Sequence, residues 1–162
     1  MTVICFVSDS HGDLNVTKRA ARHIALLAPF RVFHCGDIGS CEVLECFAQL
    51  PTRFVFGNCD FEREELSKRS ELLFSSPIQD IQQETIKNKT FFVYHGTNWN
   101  TLERAVGFQE FDYVVHGHTH EKRDEKVGKT RIINPGALTR AQEFTFASLD
   151  LENDSLTFHP VL

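Results

Sequence analysis

Five short, nearly continuous apolar runs, each ending in a residue able to hold a divalent metal, constrain this chain more than any other feature. The run over residues 3–6 leads into Asp9-Ser10-His11, and the run over 31–33 into Gly36-Asp37. Residues 54–56 lead into Gly57-Asn58, residues 91–94 into His95-Gly96, and residues 113–115 into Gly117-His118-Thr119-His120. A strand buried on both faces reads as an uninterrupted apolar run. Open α/β sheets bind ligands outside the carboxyl ends of their strands. The pattern therefore predicts buried strands whose ends bring Asp9, His11, Asp37, Asn58, His95, His118 and His120 to one place.

The segments between the runs agree. Asp13 can cap a helix over residues 14–28, with Val16, Ala20, Ile24 and Leu27 as its apolar stripe and Pro29 ending it. Ser40 can cap a second helix carrying Val43, Leu44 and Phe47, closed by Pro51. Strand, helix, strand, helix, strand over the first sixty residues is a βαβαβ unit with a parallel sheet. Residues 62–71 are highly charged with only Leu66 apolar, and read as a solvated helix or a mobile loop without a partner. Later segments are mostly β: residues 78–86 turn into 91–94 at Lys87-Asn88-Lys89, a short helix covers 101–106, and hairpins form around Gly128 and Asn153-Asp154. The expectation is one domain, residues 1–162.

Composition sets limits. With 41% hydrophobic and 24% charged residues the chain has an ordinary globular balance, and its fifteen Phe residues predict an aromatic core. The net charge is −5, and every basic cluster is interspersed with acids, which argues against duplex nucleic acid as a partner. No apolar run approaches the ~18 residues of a membrane helix. Cys5, Cys35, Cys41, Cys46 and Cys59 include no CxxC pair, are odd in number, and follow no secretory leader, so a cytoplasmic location with reduced thiols is expected. Nothing here sets an oligomeric state, and a homo-oligomer stays open.

Carboxylate and amide oxygens with imidazole nitrogens are the borderline-hard donors that suit Mn, Fe, Zn or Ni. On an extended chain, residues two apart point the same way, so Asp9 with His11 and His118 with His120 are expected to aim in pairs. Two divalent cations against the Asp9 and Asp37 carboxylates and one hydroxide leave a loaded centre positive, which attracts a phosphate ester.

Asp9-x-His11, Gly36-Asp37, Gly57-Asn58, His95-Gly96 and Gly117-His118-x-His120, in this order, resemble the signature of the calcineurin-like metallophosphoesterases. The small size, Cys59 after Asn58, and Asn134-Pro135-Gly136 resemble the family's compact prokaryotic phosphodiesterase branch. The resemblance implies an α/β fold, a four-layer α/β/β/α sandwich with two facing mixed sheets. It also implies two divalent ions, Mn²⁺ first, with Ni²⁺, Fe²⁺ or Zn²⁺ as alternatives. Asp9, His11, Asp37 and His120 would hold one ion; Asp37, Asn58, His95 and His118 would hold the other, with Asp37 shared. The implied reaction is hydrolysis of a small phosphorylated substrate by a bridging hydroxide between ions about 3.5–4 Å apart. Asp37, Asn58, Cys59 and His118 are the residues expected at the reacting group.

Cys59 stands where many relatives carry a His thought to assist the substrate or leaving group. A thiol of pKa ~8.5 is a poorer general-acid partner than imidazole, so good leaving groups should be favoured. A phosphodiesterase is therefore the first expectation. A phosphomonoesterase is the second: such relatives usually keep that His and carry Arg residues near the motifs, which the sequence does not display. A metal-bearing interaction scaffold with little catalysis, like the retromer subunit of this fold, is the third, and the presence of all seven ligand types weighs against it.

Other conspicuous residues have ordinary readings. His116 is expected in the core or supporting the site, His34 as structural, and His23 and His159 at the surface. Cys41 and Cys46 read as packing residues, Asn134-Pro135-Gly136 as a turn with support of the site by Asn134 as the lesser alternative, and Arg140 as half of a surface salt bridge, with a contact to phosphate as its lesser alternative. For Phe61 and Trp99, lining a substrate pocket and simple packing stay equally open.

Overall fold

A computed structural model describes residues 1–162. The first half is built of β1 (Val3–Val7), α1 (Leu14–Leu26), β2 (Arg31–His34), α2 (Cys41–Cys46), β3 (Thr52–Phe54) and α3 (Arg63–Phe74). The second half follows with β4 (Ile81–Ile86), β5 (Lys89–Tyr94), α4 (Trp99–Gly107), β6 (Tyr113–Val115), β7 (Lys122–Val127), β8 (Thr130–Pro135), β9 (Thr145–Asp150) and β10 (Ser155–Pro160). One five-stranded sheet has the order β10-β9-β1-β2-β3 and the other β4-β5-β6-β8-β7. In the first, β1, β2 and β3 run parallel and β9 and β10 antiparallel; in the second, β5, β6 and β8 run parallel and β4 and β7 antiparallel.

β1 shows why the apolar run is unbroken. Ile4 and Phe6 face the second sheet, among Phe33, Phe91, Val115 and Ile133, while Cys5 and Val7 face α1 and α2. Both faces of the strand are dry. A third apolar layer, Phe92, Leu102, Ala105 and Val114, seats α4 on the far side of the second sheet. Helix, sheet, sheet and helix thus form the four expected layers. The aromatic core is real: Phe91 stacks on Tyr113 with ring centroids 4.8 Å apart, and Phe6 packs against Phe33 and Phe91. Arg31 of β2 grips both carboxylate oxygens of Glu84 on β4, tying the sheets together at one edge.

Local signals mostly decided the helices. The Asp13 carboxylate accepts from the backbone N–H groups of Asn15 and Val16, capping α1. Ser40 occupies the corresponding position of α2, but its hydroxyl makes no capping bond. The charged stretch is α3, a helix that continues to Phe74 and tucks Leu66, Leu73 and Phe74 against the core beside α2, so it is neither loose nor unpartnered. Lys87 and Asn88, both left-handed, make the tight β4–β5 turn.

Candidate metal centre

Every predicted ligand stands in the loop following a strand: Asp9 and His11 after β1, Asp37 after β2, Asn58 after β3, His95 after β5, His118 and His120 after β6. The structure brings all seven together. Paired aiming along an extended chain is not how this happens. Asp9 (φ 57°), His11 (44°), Asp37 (54°), His118 (68°) and His120 (60°) are all left-handed. Such conformations cost of order 1–3 kcal/mol each and persist only where the surroundings fix them. Here the loops fix one another: Asp9 N–H donates to the Gly36 carbonyl (3.0 Å), His11 N–H to Asp37 (2.9 Å), and Gly117 N–H to His95 (2.9 Å).

The glycines that precede the ligands have a steric reason. A Cβ on Gly57 would lie 2.1 Å from Asp37 Oδ1, and one on Gly117 would lie 2.0 Å from Ser8 Oγ and 2.8 Å from Asp9 Oδ2. Only a bare backbone lets neighbouring loops approach this closely.

The donors form two overlapping groups. In the first, His11 Nε2 lies 3.9 Å from Asp9 Oδ1, 3.6 Å from Asp37 Oδ2 and 3.5 Å from His120 Nε2, and His120 Nε2 lies 3.2 Å from Asp9 Oδ1. In the second, His95 Nε2 lies 3.4 Å from Asp37 Oδ2 and 3.1 Å from Asn58 Oδ1, and the His118 ring sits edge-on to His95 at 5.1 Å. Asp37 Oδ2 belongs to both groups, while its Oδ1 accepts from Cys59 N–H at 2.8 Å. Asp9, Asp37 and His95 form the buried floor; Asn58 and His118 are exposed at the mouth.

Electrostatics and hydrogen bonding fit a cation. Asp9 Oδ1 is fully buried with no well-formed hydrogen bond, only the Nε2 atoms of His120 and His11 beside it, an acceptor that a native structure seldom leaves so poorly served without a purpose. Burial opposes ionisation of Asp37, yet the contacts with His95 and Cys59 N–H hold its carboxyl well below the usual range. Contact with Asp9 raises His120 against burial, and Asp37 raises His95 against a larger desolvation, so both imidazoles hold protons more tightly than free histidine. For His11, desolvation wins and its pKa falls. His95 Nδ1 donates to the Cys35 carbonyl at 2.7 Å and His120 Nδ1 to the Arg140 carbonyl at 3.2 Å. Each ring therefore turns Nε2 inward, the supporting arrangement typical of metal-ligating histidines.

Further residues support the site, and some of them escaped the sequence. Buried Asp60 accepts from Ile38 and Gly39 N–H through Oδ1 and from Gly57 N–H through Oδ2, clamping the β2 loop to the β3 loop. Its place two residues after Asn58 was the available signal. Ser10 Oγ bonds His34 Nε2 at 2.7 Å, and Thr139 Oγ1 donates to the Asp9 carbonyl. Asn134 ends β8 instead of making a free turn; buried, it donates to the Gly117 carbonyl and Thr119 Oγ1 and so supports the histidine loop. Buried His116 accompanies it, bonding the Gly117 carbonyl. Arg140 is not in a surface salt bridge: its guanidinium has no ion-pair or hydrogen-bond partner, while its backbone serves His120. His159 is half-buried, stacked on Phe146 and bonded to Ser148. Trp99 lines a cavity under α4 with Leu102 and Ile132, and Phe61 is largely exposed.

Comparison with known proteins places this geometry. The family model of the calcineurin-like phosphoesterase superfamily domain matches residues 1–154. The phosphodiesterase MJ0936 of Methanocaldococcus jannaschii is 32% identical over 136 residues, 82% of each chain. The phosphodiesterase YfcE of Escherichia coli K12 is 25% identical, across 97% of this chain and 91% of its own length. The solved structure of an archaeal phosphodiesterase superposes with a TM-score of 0.92 at 29% identity, covering 98% of this chain and 99% of the other. The chain belongs to the calcineurin-like phosphoesterase superfamily.

Proposed function

We propose that the protein hydrolyses phosphodiesters of small molecules at a centre of two divalent cations, with Mn²⁺ first and Ni²⁺, Fe²⁺ or Zn²⁺ also suited to the donor set. Asp9, His11, Asp37 and His120 would hold one cation; Asp37, Asn58, His95 and His118 would hold the other. Bound there, the cations would supply a water of lowered pKa and neutralise charge on the phosphoryl oxygens. The protein's own residues do the rest. Asp37 Oδ2 faces both groups, the Cys35 and Arg140 carbonyls fix the ring orientations of His95 and His120, and Asp60 locks the Asp37 and Asn58 loops in register. Asn58, His118 and Cys59 lie at the open side, where a phosphate ester would enter.

The observation that carries this reading is the gathering of side chains from five strand ends around the buried carboxylates of Asp9 and Asp37, with Asn58 and His118 against His95. A phosphomonoesterase is the second reading, favoured by Arg140, whose carbonyl bonds His120 and whose guanidinium is exposed and without a partner. One assay separates them. The Mn²⁺-loaded protein is given aryl phosphomonoesters, aryl phosphodiesters and cyclic nucleotides. Fastest turnover on a diester is expected, a clear preference for monoesters selects the second reading, and no turnover on any member rejects both.

A further inference from the structure

A cavity of about 540 Å³ opens directly beside His120. Small-molecule sites typically measure about 300–1,000 Å³, so this one has room for a substantial substrate fragment. Its walls are the Thr119 hydroxyl, the Glu121 carboxylate, the Lys122–Glu143 ion pair, the Gln142 amide and Arg140, with Ala141 the one apolar side chain. Such walls offer donors and acceptors carried on aliphatic stems. An alkyl or plain aryl group would leave those donors and acceptors unpaired, whereas a group bearing hydroxyls and ring nitrogens can pair with them.

Arg140 lines this cavity, and its backbone borders the metal centre. Its carbonyl accepts from His120 Nδ1, and the neighbouring Thr139 hydroxyl is bonded to the Asp9 backbone, so the segment is anchored to the site at two points. The guanidinium is exposed and uncommitted, because the nearby Glu143 is already taken by Lys122 at 2.6 Å.

We infer that this cavity is the subsite for the retained substituent of a phosphodiester, a polar group of the nucleoside class, with Arg140 holding a phosphoryl oxygen between it and the metal centre. The inference rests on the phosphodiesterase reading and names its substrate class. Guanidinium–phosphate pairs are strong, directional contacts. The geometry divides recognition in two: the centre takes the phosphoryl group, and the loop after β8 takes what is attached to it.

The test uses two substrates with the same leaving group, the p-nitrophenyl ester of thymidine 5′-phosphate and methyl p-nitrophenyl phosphate, on Mn²⁺-loaded protein. The thymidine ester should show the lower KM. Ala141→Trp, which fills the cavity, should raise KM for the thymidine ester about tenfold while moving the methyl ester less than about twofold, the loss of a few hydrogen bonds. Arg140→Gln should raise KM for both, with Arg140→Lys recovering part. Calorimetric titration with thymidine 5′-monophosphate, alongside metal content, reads the subsite without turnover: affinity should fall in Ala141→Trp and Arg140→Gln at unchanged metal. Equal KM values for the two esters, or nucleotide affinity unmoved by either variant, would overturn the subsite. If neither ester is hydrolysed, the phosphodiesterase reading fails by itself, and the nucleotide titration still decides the subsite.

Discussion

Asp37 Oδ2 is within 3.6 Å of His11 and 3.4 Å of His95, so one atom serves donors from both halves of the centre. Asp37→Asn should therefore weaken both ions together. Metal titration should show both lost, and hydrolysis should fall by more than the roughly 10–100-fold typical of losing a mere supporting partner; full activity would remove Asp37 from the shared position. Cys59 is the residue proposed to bear on the leaving group. Burial, and then the Asp37 carboxylate, push its thiol up, so it stays protonated near neutrality yet transfers that proton poorly. Cys59→His should accelerate hydrolysis of esters with poor leaving groups, by about tenfold or more given the ~10²–10⁴ range of general-acid catalysis, and change good leaving groups little. Equal effects on both would remove Cys59 from that role.

At the level of strands and loops, the spacing Gly-ligand is a packing requirement. The Cβ of Gly57→Ala would meet Asp37 Oδ1 at 2.1 Å and Asp37 N at 2.3 Å. Moving that loop should cost ~1–3 kcal/mol, the usual penalty of overpacking, and lower metal affinity as well; denaturant melts and metal titration on one preparation would show both or refute the argument. The strands themselves were legible because burial on two faces leaves an unambiguous mark, as in Ile4 to Val7. The candidate ligands were legible because each follows such a run. Their aiming was not, since the left-handed turns at Asp9 and His11 depend on backbone bonds to the loop after β2, and His118 N–H is held by the Asp9 carboxylate from far away in sequence. Asp60 stayed hidden for the same reason: it bonds main-chain groups of other loops, which no local pattern announces. The helix α3 was half legible, its single obvious apolar residue concealing that Leu73 and Phe74 complete the buried side.

Across the whole molecule, acid should be destabilising for a reason independent of carboxylates. Burial lowers His34 to about 3 and His116 to about 4. Both native values lie below the ~6.5 of an unfolded histidine, so the unfolded chain takes up protons first. Stability is full above about pH 6.5, declines as pH falls below it, and stops declining from these groups once the native forms protonate near 4 and 3. The melting temperature of the metal-free protein should follow that course. His34→Gln should start lower at pH 8 and lose less on acidification; an identical slope would show that His34 is not responsible.

The lacing of loop to loop, Asp9 to Gly36, His11 to Asp37 and Gly117 to His95, carries a kinetic consequence. Contacts between residues so distant along the chain are the slow ones to establish, and no fragment contains them all. Capture of an ion would thus mark the completion of folding. During refolding, high-affinity uptake should appear together with the last native spectroscopic signal, because the polypeptide has no partial form able to grasp it.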